Sequence, residues 1–137
     1  VMYDKGRGIT QDDKTAVKWW TLAAEQGHAG AQTNPGLMYY NGDGVPQDYK
    51  TAVKWYTLAA EQGDAYAQSN LGLMYANGDG VLQDYVYAHM WFNIAASSGH
   101  KNASKTRDIV AERMTPSQLE EAQRLARECV RKKYKGC

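Results

Sequence analysis

The stretch LMYYNGDGVPQDYKTAVKWY at residues 37–56 decides the fold, because LMYANGDGVLQDYVYAHMWF follows it 36 positions later at residues 73–92. A further copy, VMYDKGRGITQDDKTAVKWW, opens the chain at residues 1–20. Without any gap, the first and second 36-residue units match at 24 of 36 positions, and the second and third at 17 of 36. Self-similarity at a fixed period of this length is the signature of a repeat array.

One helical segment of each unit is evident from the spacing of its apolar residues. In the second copy, apolar residues recur at the spacing of one helix face: Ala52, Trp55, Tyr56, Ala59 and Ala60. Asp48 stands before this segment and is predicted as its N-cap. Gly63 stands after it, where a glycine can take the positive φ that ends a helix.

A second helical segment completes the unit. Its apolar positions are Ala67, Leu71, Met74 and Tyr75. Asp64 is predicted as its N-cap, and Asn77-Gly78 marks its end. Two antiparallel helices per unit, with no strand signal, predict an all-α protein.

Such a helix pair cannot bury its apolar face alone, so neighbouring pairs are expected to stack. We expect Gly72 at a close contact between helices. The aromatic residues that recur once per unit are predicted to fill the space between layers: Trp19, Trp55, Trp91, Tyr3, Tyr39 and Tyr75. Burying each such side chain is worth roughly 1.5–3 kcal/mol.

The repeated pattern A-Q-x-N-L-G-L-M-Y-x-N-G-x-G-V-x-x-D-Y-x-x-A-x-x-W-x-x-x-A-A-x-x-G resembles the Sel1-like repeat family, a relative of the tetratricopeptide repeat. The resemblance implies a right-handed α/α solenoid that binds proteins or peptides, and it does not imply catalysis. It divides the chain into three repeats at residues 1–108 and the end of a divergent fourth unit, with a capping helix, at residues 109–137. The first repeat is expected to lack part of its N-terminal helix, because Val1 aligns with Leu37.

Two departures from the repeat lead to specific expectations. Pro35 stands where the next unit has Leu71, so a kink or a break is expected near Thr33–Gly36. The cysteine-rich branch of the family closes each unit with a disulfide, and this chain has no cysteines at those positions. Cys129 is predicted to be a small core residue, and Cys137 to be a free thiol in the tail.

The C-terminal segment has its own helix signals and its own charge. Thr115-Pro116-Ser117-Gln118 is a capping box, and the apolar positions that follow share one face: Leu119, Ala122, Ala126, Cys129 and Val130. Residues 1–100 carry a net charge of −4, whereas residues 101–137 carry +5. The RKKYK ending could contact phosphate or an acidic partner, or it could simply be a solvated helix end.

The sequence lacks the motifs of several common catalytic and ion-binding sites. The sequence contains no nucleophile elbow, no phosphate-binding loop and no complete calcium loop. The three histidines, His28, His89 and His100, lack the spacing of zinc ligands. A capping or exposed role is expected for His28 and His100. We therefore predict no catalytic residues, no metal and no cofactor. The overall charge of +1 gives no reason to expect nucleic acid, and no run of about 18 apolar residues exists for membrane insertion.

The binding surface is expected on the concave face, which the first helix of each pair lines in tetratricopeptide repeats. In that pairing the first helices are those that contain Leu37 and Leu73, each followed across the glycine-rich loop by its partner. The predicted peptide-binding residues are Tyr40, Asn41, Tyr66, Ser69, Leu73, Asn77 and Lys105. Leu37 is placed on the same outward face by the helical spacing. They combine aromatic and aliphatic contacts with amides that can bond a peptide backbone. Self-association through the truncated first repeat is a further expectation.

Two alternatives to a peptide-binding scaffold remain open at this point. The chain could be a structural segment of a longer repeat protein, with no site of its own. It could also be a hydrolase acting on cell-wall material, although the sequence offers no nucleophile and base for that reaction.

Overall fold

The structure is a computed structural model that describes residues 29–137, and in that part every regular element is an α-helix. The six helices are α1 Ala29–Asn41, α2 Tyr49–Glu61, α3 Ala65–Asn77, α4 Tyr85–Ser97, α5 Lys101–Ala111 and α6 Pro116–Arg131. Helices that follow one another from α1 to α5 pack side by side. The chain is thus an all-α helical repeat solenoid, as predicted. The expectations for Val1, Tyr3, Trp19, His28 and the truncated first repeat lie outside the described residues.

Aspartates begin the internal helices, as the sequence indicated. The Asp48 carboxylate accepts a hydrogen bond from Thr51 N at 3.2 Å, and Asp84 plays the same part for Tyr87 N at 3.1 Å. Asp64 accepts from the first amides of α3. These bonds satisfy amides that have no partner inside the helix, which fixes where each helix starts.

The loop between the helices of each hairpin is built twice in the same way. Gln47 Nε2 donates to the Tyr40 carbonyl at 2.8 Å, and Gln83 Nε2 donates to the Ala76 carbonyl at 2.9 Å. Glycines with φ near +75° turn the chain; at Gly80, a Cβ would also lie 2.6 Å from the backbone of Tyr49. The loop of one repeat thus sits directly on the start of α2 in the preceding repeat, where only glycine fits.

The closest helix approach in each hairpin sets a glycine against an aromatic ring. A Cβ at Gly36 would lie 2.8 Å from the Tyr56 ring, and one at Gly72 would lie 3.0 Å from the Phe92 ring. The expected close contact at Gly72 is confirmed. The predicted Trp and Tyr layer needs correction, however, because the fully buried rings facing these glycines are Tyr56 and Phe92.

The predicted aromatic positions contribute unequally to the core. Trp91 is buried, whereas Trp55, Tyr39 and Tyr75 are only half-buried at its edge. Tyr56 and Phe92, the residues that follow the two tryptophans, lie against Gly36 and Gly72 of the preceding helices.

Pro35 does not break its helix. Helix α1 is continuous from Ala29 to Asn41 with Pro35 inside it, so the expected break is wrong. The ring is fully buried. Packing of α1 against α2 outweighs the lost backbone donor at this position.

The repeat pattern ends at α5. Asp108, which occupies the position of Gly36 and Gly72, has an exposed side chain, so no further helix approaches closely there. Instead, α6 lies across α4 and does not pack as a hairpin partner of α5. Its Ala122, Ala126 and Cys129 are buried, as the predicted apolar face requires, whereas Val130 is 47% exposed. The predicted capping box at Thr115 and Gln118 is present.

The expectation of a free Cys137 is wrong, because Cys137 forms a disulfide with Cys129. The sequence places Cys137 eight residues beyond the buried Cys129, and the tail turns back far enough to bring the two together. Cys129 itself is in the core, as predicted.

Candidate functional site

The predicted binding residues lie on α1, α3 and α5, and four positions of the expected groove meet in one cavity. Leu37, Tyr40 and Asn41 of α1 and Leu73 of α3 line a cavity of about 100 Å³. Leu73 is 40% exposed at its rim. This cavity is called the α1–α3 cavity below.

Two residues that the groove prediction missed complete the α1–α3 cavity. Tyr56 of α2 and Asn70 of α3 also line it, and Tyr56 is fully buried. Helical spacing could have found Asn70, because it follows Tyr66 by four residues and precedes Leu73 by three. Tyr56 is reached only through the tertiary contact with α1.

Asn70 carries an unused hydrogen-bond donor. Its side-chain Nδ2 is buried and bonds to no other residue of the described chain. A buried amide donor without an acceptor costs roughly 1–3 kcal/mol, so a carbonyl oxygen from a ligand would relieve that cost. The neighbouring Leu37 and Leu73 offer apolar contact.

The tyrosines around the α1–α3 cavity remain protonated at neutral pH. Burial raises the pKa of Tyr40, with Asp79 adding to the effect, and burial also raises the pKa of Tyr56. Tyr40 is held in place by its ring contact with Tyr49, with centroids 5.0 Å apart. The phenols can therefore donate hydrogen bonds to a ligand acceptor.

The other predicted residues lie outside the α1–α3 cavity. Tyr66 is 50% exposed, and its ring lies 6.2 Å from that of His100 at the start of α5. Ser69 is half-buried, Asn77 is exposed at the end of α3, and Lys105 is exposed on α5. They extend the surface of the cavity along α3 and toward α5. His100, for which a capping or exposed role was expected, occupies an N-cap position and is half-buried, and its side chain makes no capping bond.

A second polar group is buried away from the groove. His89 of α4 is buried, and its Nδ1 has no partner in the described chain. Burial lowers the pKa of His89, the Arg107 guanidinium lowers it further, and Asp108 opposes the shift. Arg107 Nη1 donates to Asn93 Oδ1 at 2.9 Å, which fixes the cation one helical turn beyond His89.

Residues 29–137 contain no group of three or more His, Cys, Asp or Glu side chains placed to hold a metal ion. No helix in the same range is both long and apolar enough to cross a bilayer.

Consecutive α-helices stacked side by side in repeated pairs define the class of α-helical repeat solenoids. The Sel1 repeat family model matches residues 1–28, 29–64 and 65–100, and the chain belongs to the Sel1 repeat family. Proteins of this family are generally scaffolds for protein interaction. No curated protein sequence matches the chain.

The solved structures that resemble the chain include two repeat proteins of this kind. One is a protective antigen of uropathogenic Escherichia coli strains that displays an SLR fold, with 38% identity and a TM-score of 0.85 over 88% of this chain. The other is a Sel1 repeat protein from Oxalobacter formigenes, with 43% identity and a TM-score of 0.65 over 74% of this chain. The chain covers only 26% and 42% of those two proteins, respectively.

Proposed function

We propose that the chain is a non-catalytic scaffold that binds an extended peptide, or an extended segment of a protein, across α1, α3 and α5. The observation that carries this proposal is the α1–α3 cavity, whose lining combines Leu37 and Leu73 with Asn70, a residue whose buried Nδ2 has no partner in the described chain. An apolar side chain of the ligand would enter the cavity while a backbone carbonyl accepts from Asn70.

The size of the cavity supports a single side chain rather than a whole small molecule. About 100 Å³ is well below the roughly 300–1,000 Å³ of typical small-molecule sites. The ligand is therefore expected to lie along the surface and to insert one aliphatic residue. Tyr66, Ser69, Asn77 and Lys105 would contact its neighbouring residues.

The binding proposal is tested by selecting displayed random peptides on the immobilised chain and measuring their affinity by fluorescence anisotropy. Leu73→Glu places a charge at the cavity rim and is expected to weaken selected peptides at least about tenfold. Leu82→Glu is the matched control, because Leu82 is 90% exposed in the loop before α4.

Helix content and the free energy of unfolding of both variants are measured alongside binding. Because Leu73 is partly exposed, its variant is expected to remain folded. Equal binding to both variants would place the ligand elsewhere and overturn the assignment of the cavity.

A further inference from the structure

The last six residues fold back over an earlier repeat. After α6, Lys133 and Tyr134 adopt φ values of 55° and 69°, the left-handed region that residues other than glycine usually avoid. The chain then reverses, and Cys137 reaches Cys129. Residues 132–137 are called the tail below.

The tail touches the turn between α2 and α3, which belongs to a different part of the sequence. Gly136 N donates to Glu61 Oε2 at 3.2 Å, across 75 residues of sequence. The Tyr134 ring lies against Gly63, where an added Cβ would be 3.4 Å from it. Both contacts depend on the reversal at Lys133 and Tyr134.

The disulfide is the only covalent link that holds this reversed conformation among the described residues. The other attachments are a hydrogen bond to the exposed carboxylate of Glu61, the contact of one ring, and backbone bonds such as Tyr134 N to Cys129 O at 2.8 Å. Tyr134 and Cys137 also pack against the edge of the core, but both are only half-buried, so these contacts are weak against the conformational entropy of a six-residue segment.

The disulfide is also within reach of solvent. Cys129 and Cys137 both line a cavity of about 170 Å³, together with Tyr87, Met90 and Leu125. Cys129 is buried, but Cys137 is only half-buried. A small thiolate can therefore approach the sulfur of Cys137.

We propose that Cys129 and Cys137 form a thiol–disulfide exchange site that fastens and releases the tail. The thiolate of a small dithiol attacks Cys137 Sγ, the bond between the two cysteine sulfurs breaks, and Cys129 leaves as a thiolate that takes up a proton. The second thiol of the reductant then displaces Cys137, which also leaves as a thiolate and is protonated. The protein disulfide gains two electrons and two protons, and the dithiol becomes a disulfide.

Release of the tail has a defined structural result. Tyr134 leaves Gly63, Gly136 leaves Glu61, and the cavity beside Tyr87 and Met90 opens. The cations Lys132, Lys133 and Lys135 leave their fixed positions with it. The oxidised protein covers the α2–α3 turn, and the reduced protein exposes it.

The exchange site is tested on the full chain in its native state with dithiothreitol as the reductant. Alkylation with iodoacetamide and intact mass measurement are expected to show no reactive thiol before reduction and two after it. Hydrogen exchange at Tyr134 and Gly136 is expected to speed up at least about tenfold on reduction, with exchange in α1 and α3 unchanged. Glutathione disulfide is expected to reverse both changes.

Two outcomes would overturn the proposal. One is a disulfide that reacts with dithiothreitol only in denaturant; the other is complete reduction that leaves exchange at Tyr134 and Gly136 unchanged. Cys137→Ser is expected to show the fast exchange with and without reductant. The Tyr134→Ala variant keeps the disulfide. In this variant, hydrogen exchange at Gly136 is still expected to speed up on reduction.

Discussion

At the residue scale, His89 shows how a buried titratable group ties stability to pH. Its pKa is lowered in the folded chain, first by burial and then by Arg107, and the unfolded chain has the ordinary value near 6.5. Between these two pKa values the unfolded state binds more protons than the folded state. Stability is therefore complete above about pH 6.5 and falls as the pH drops toward the lowered value.

The lowered pKa of His89 predicts how the free energy of urea unfolding changes between pH 7.5 and 5. The free energy of unfolding of the native chain is expected to fall across this range, and His89→Gln is expected to fall less because it cannot take up a proton. Parallel profiles for the native chain and His89→Gln would assign the pH dependence to other groups.

The residues of the candidate site show which contacts a repeat pattern can and cannot predict. The helical period placed Leu37, Tyr40, Asn41 and Leu73 on one surface, and the structure brings them together. Tyr56 was assigned to the core, yet it also forms a wall of the cavity. Its second role arises from the approach of α1 at Gly36, a tertiary contact that a single helix pattern does not contain.

At the element scale, α1 shows packing prevailing over a local preference. A proline inside a helix removes one donor and clashes with the carbonyl four residues earlier, here that of Ala31. The helix nevertheless continues to Asn41, because it packs against α2 with Pro35 and Gly36 buried at the contact. The proline therefore lowers the free energy of unfolding without breaking the helix.

Pro35→Leu is expected to raise the free energy of unfolding by about 1–3 kcal/mol, since it restores the residue type of Leu71 and the missing donor. Urea denaturation followed by circular dichroism measures the change. The reciprocal Leu71→Pro, in the next repeat, is expected to lower the free energy of unfolding by about 3 kcal/mol or more. A neutral Pro35→Leu would indicate that close packing around residue 35 has no room for the larger side chain.

Helix limits were the most predictable features at this scale, because they depend on residues within one turn. Asp48, Asp64 and Thr115 cap the helices that their sequence positions indicated. The path of α6 was not predictable in the same way. Its apolar face specifies burial but does not specify which helix covers it. Asp108 at the position of Gly72 was the available sign that regular stacking stops at α5.

At the scale of the whole molecule, α6 changes how the repeats depend on one another. In a simple array each unit contacts only its neighbours, so local unfolding of one unit affects only the units next to it. Here α6 packs on α4, and the tail that follows it reaches Glu61 at the end of α2. Helices of two repeats are thereby connected through one C-terminal element.

This connection predicts the effect of disrupting the contact between α4 and α6. Ala126→Asp would bury an unpaired charge beside Ile94, since both residues line the cavity between these helices. A cost of about 3–5 kcal/mol is expected. Hydrogen exchange is expected to speed up in α4 and also at the C-terminal end of α2, because α6 and its tail would detach together. Gln123→Asp, at an exposed position of α6 that does not line this cavity, is the matched control and is expected to leave both helices protected. Faster exchange in α4 alone would mean that the tail holds its place without α6, and that the repeats are coupled only to their neighbours.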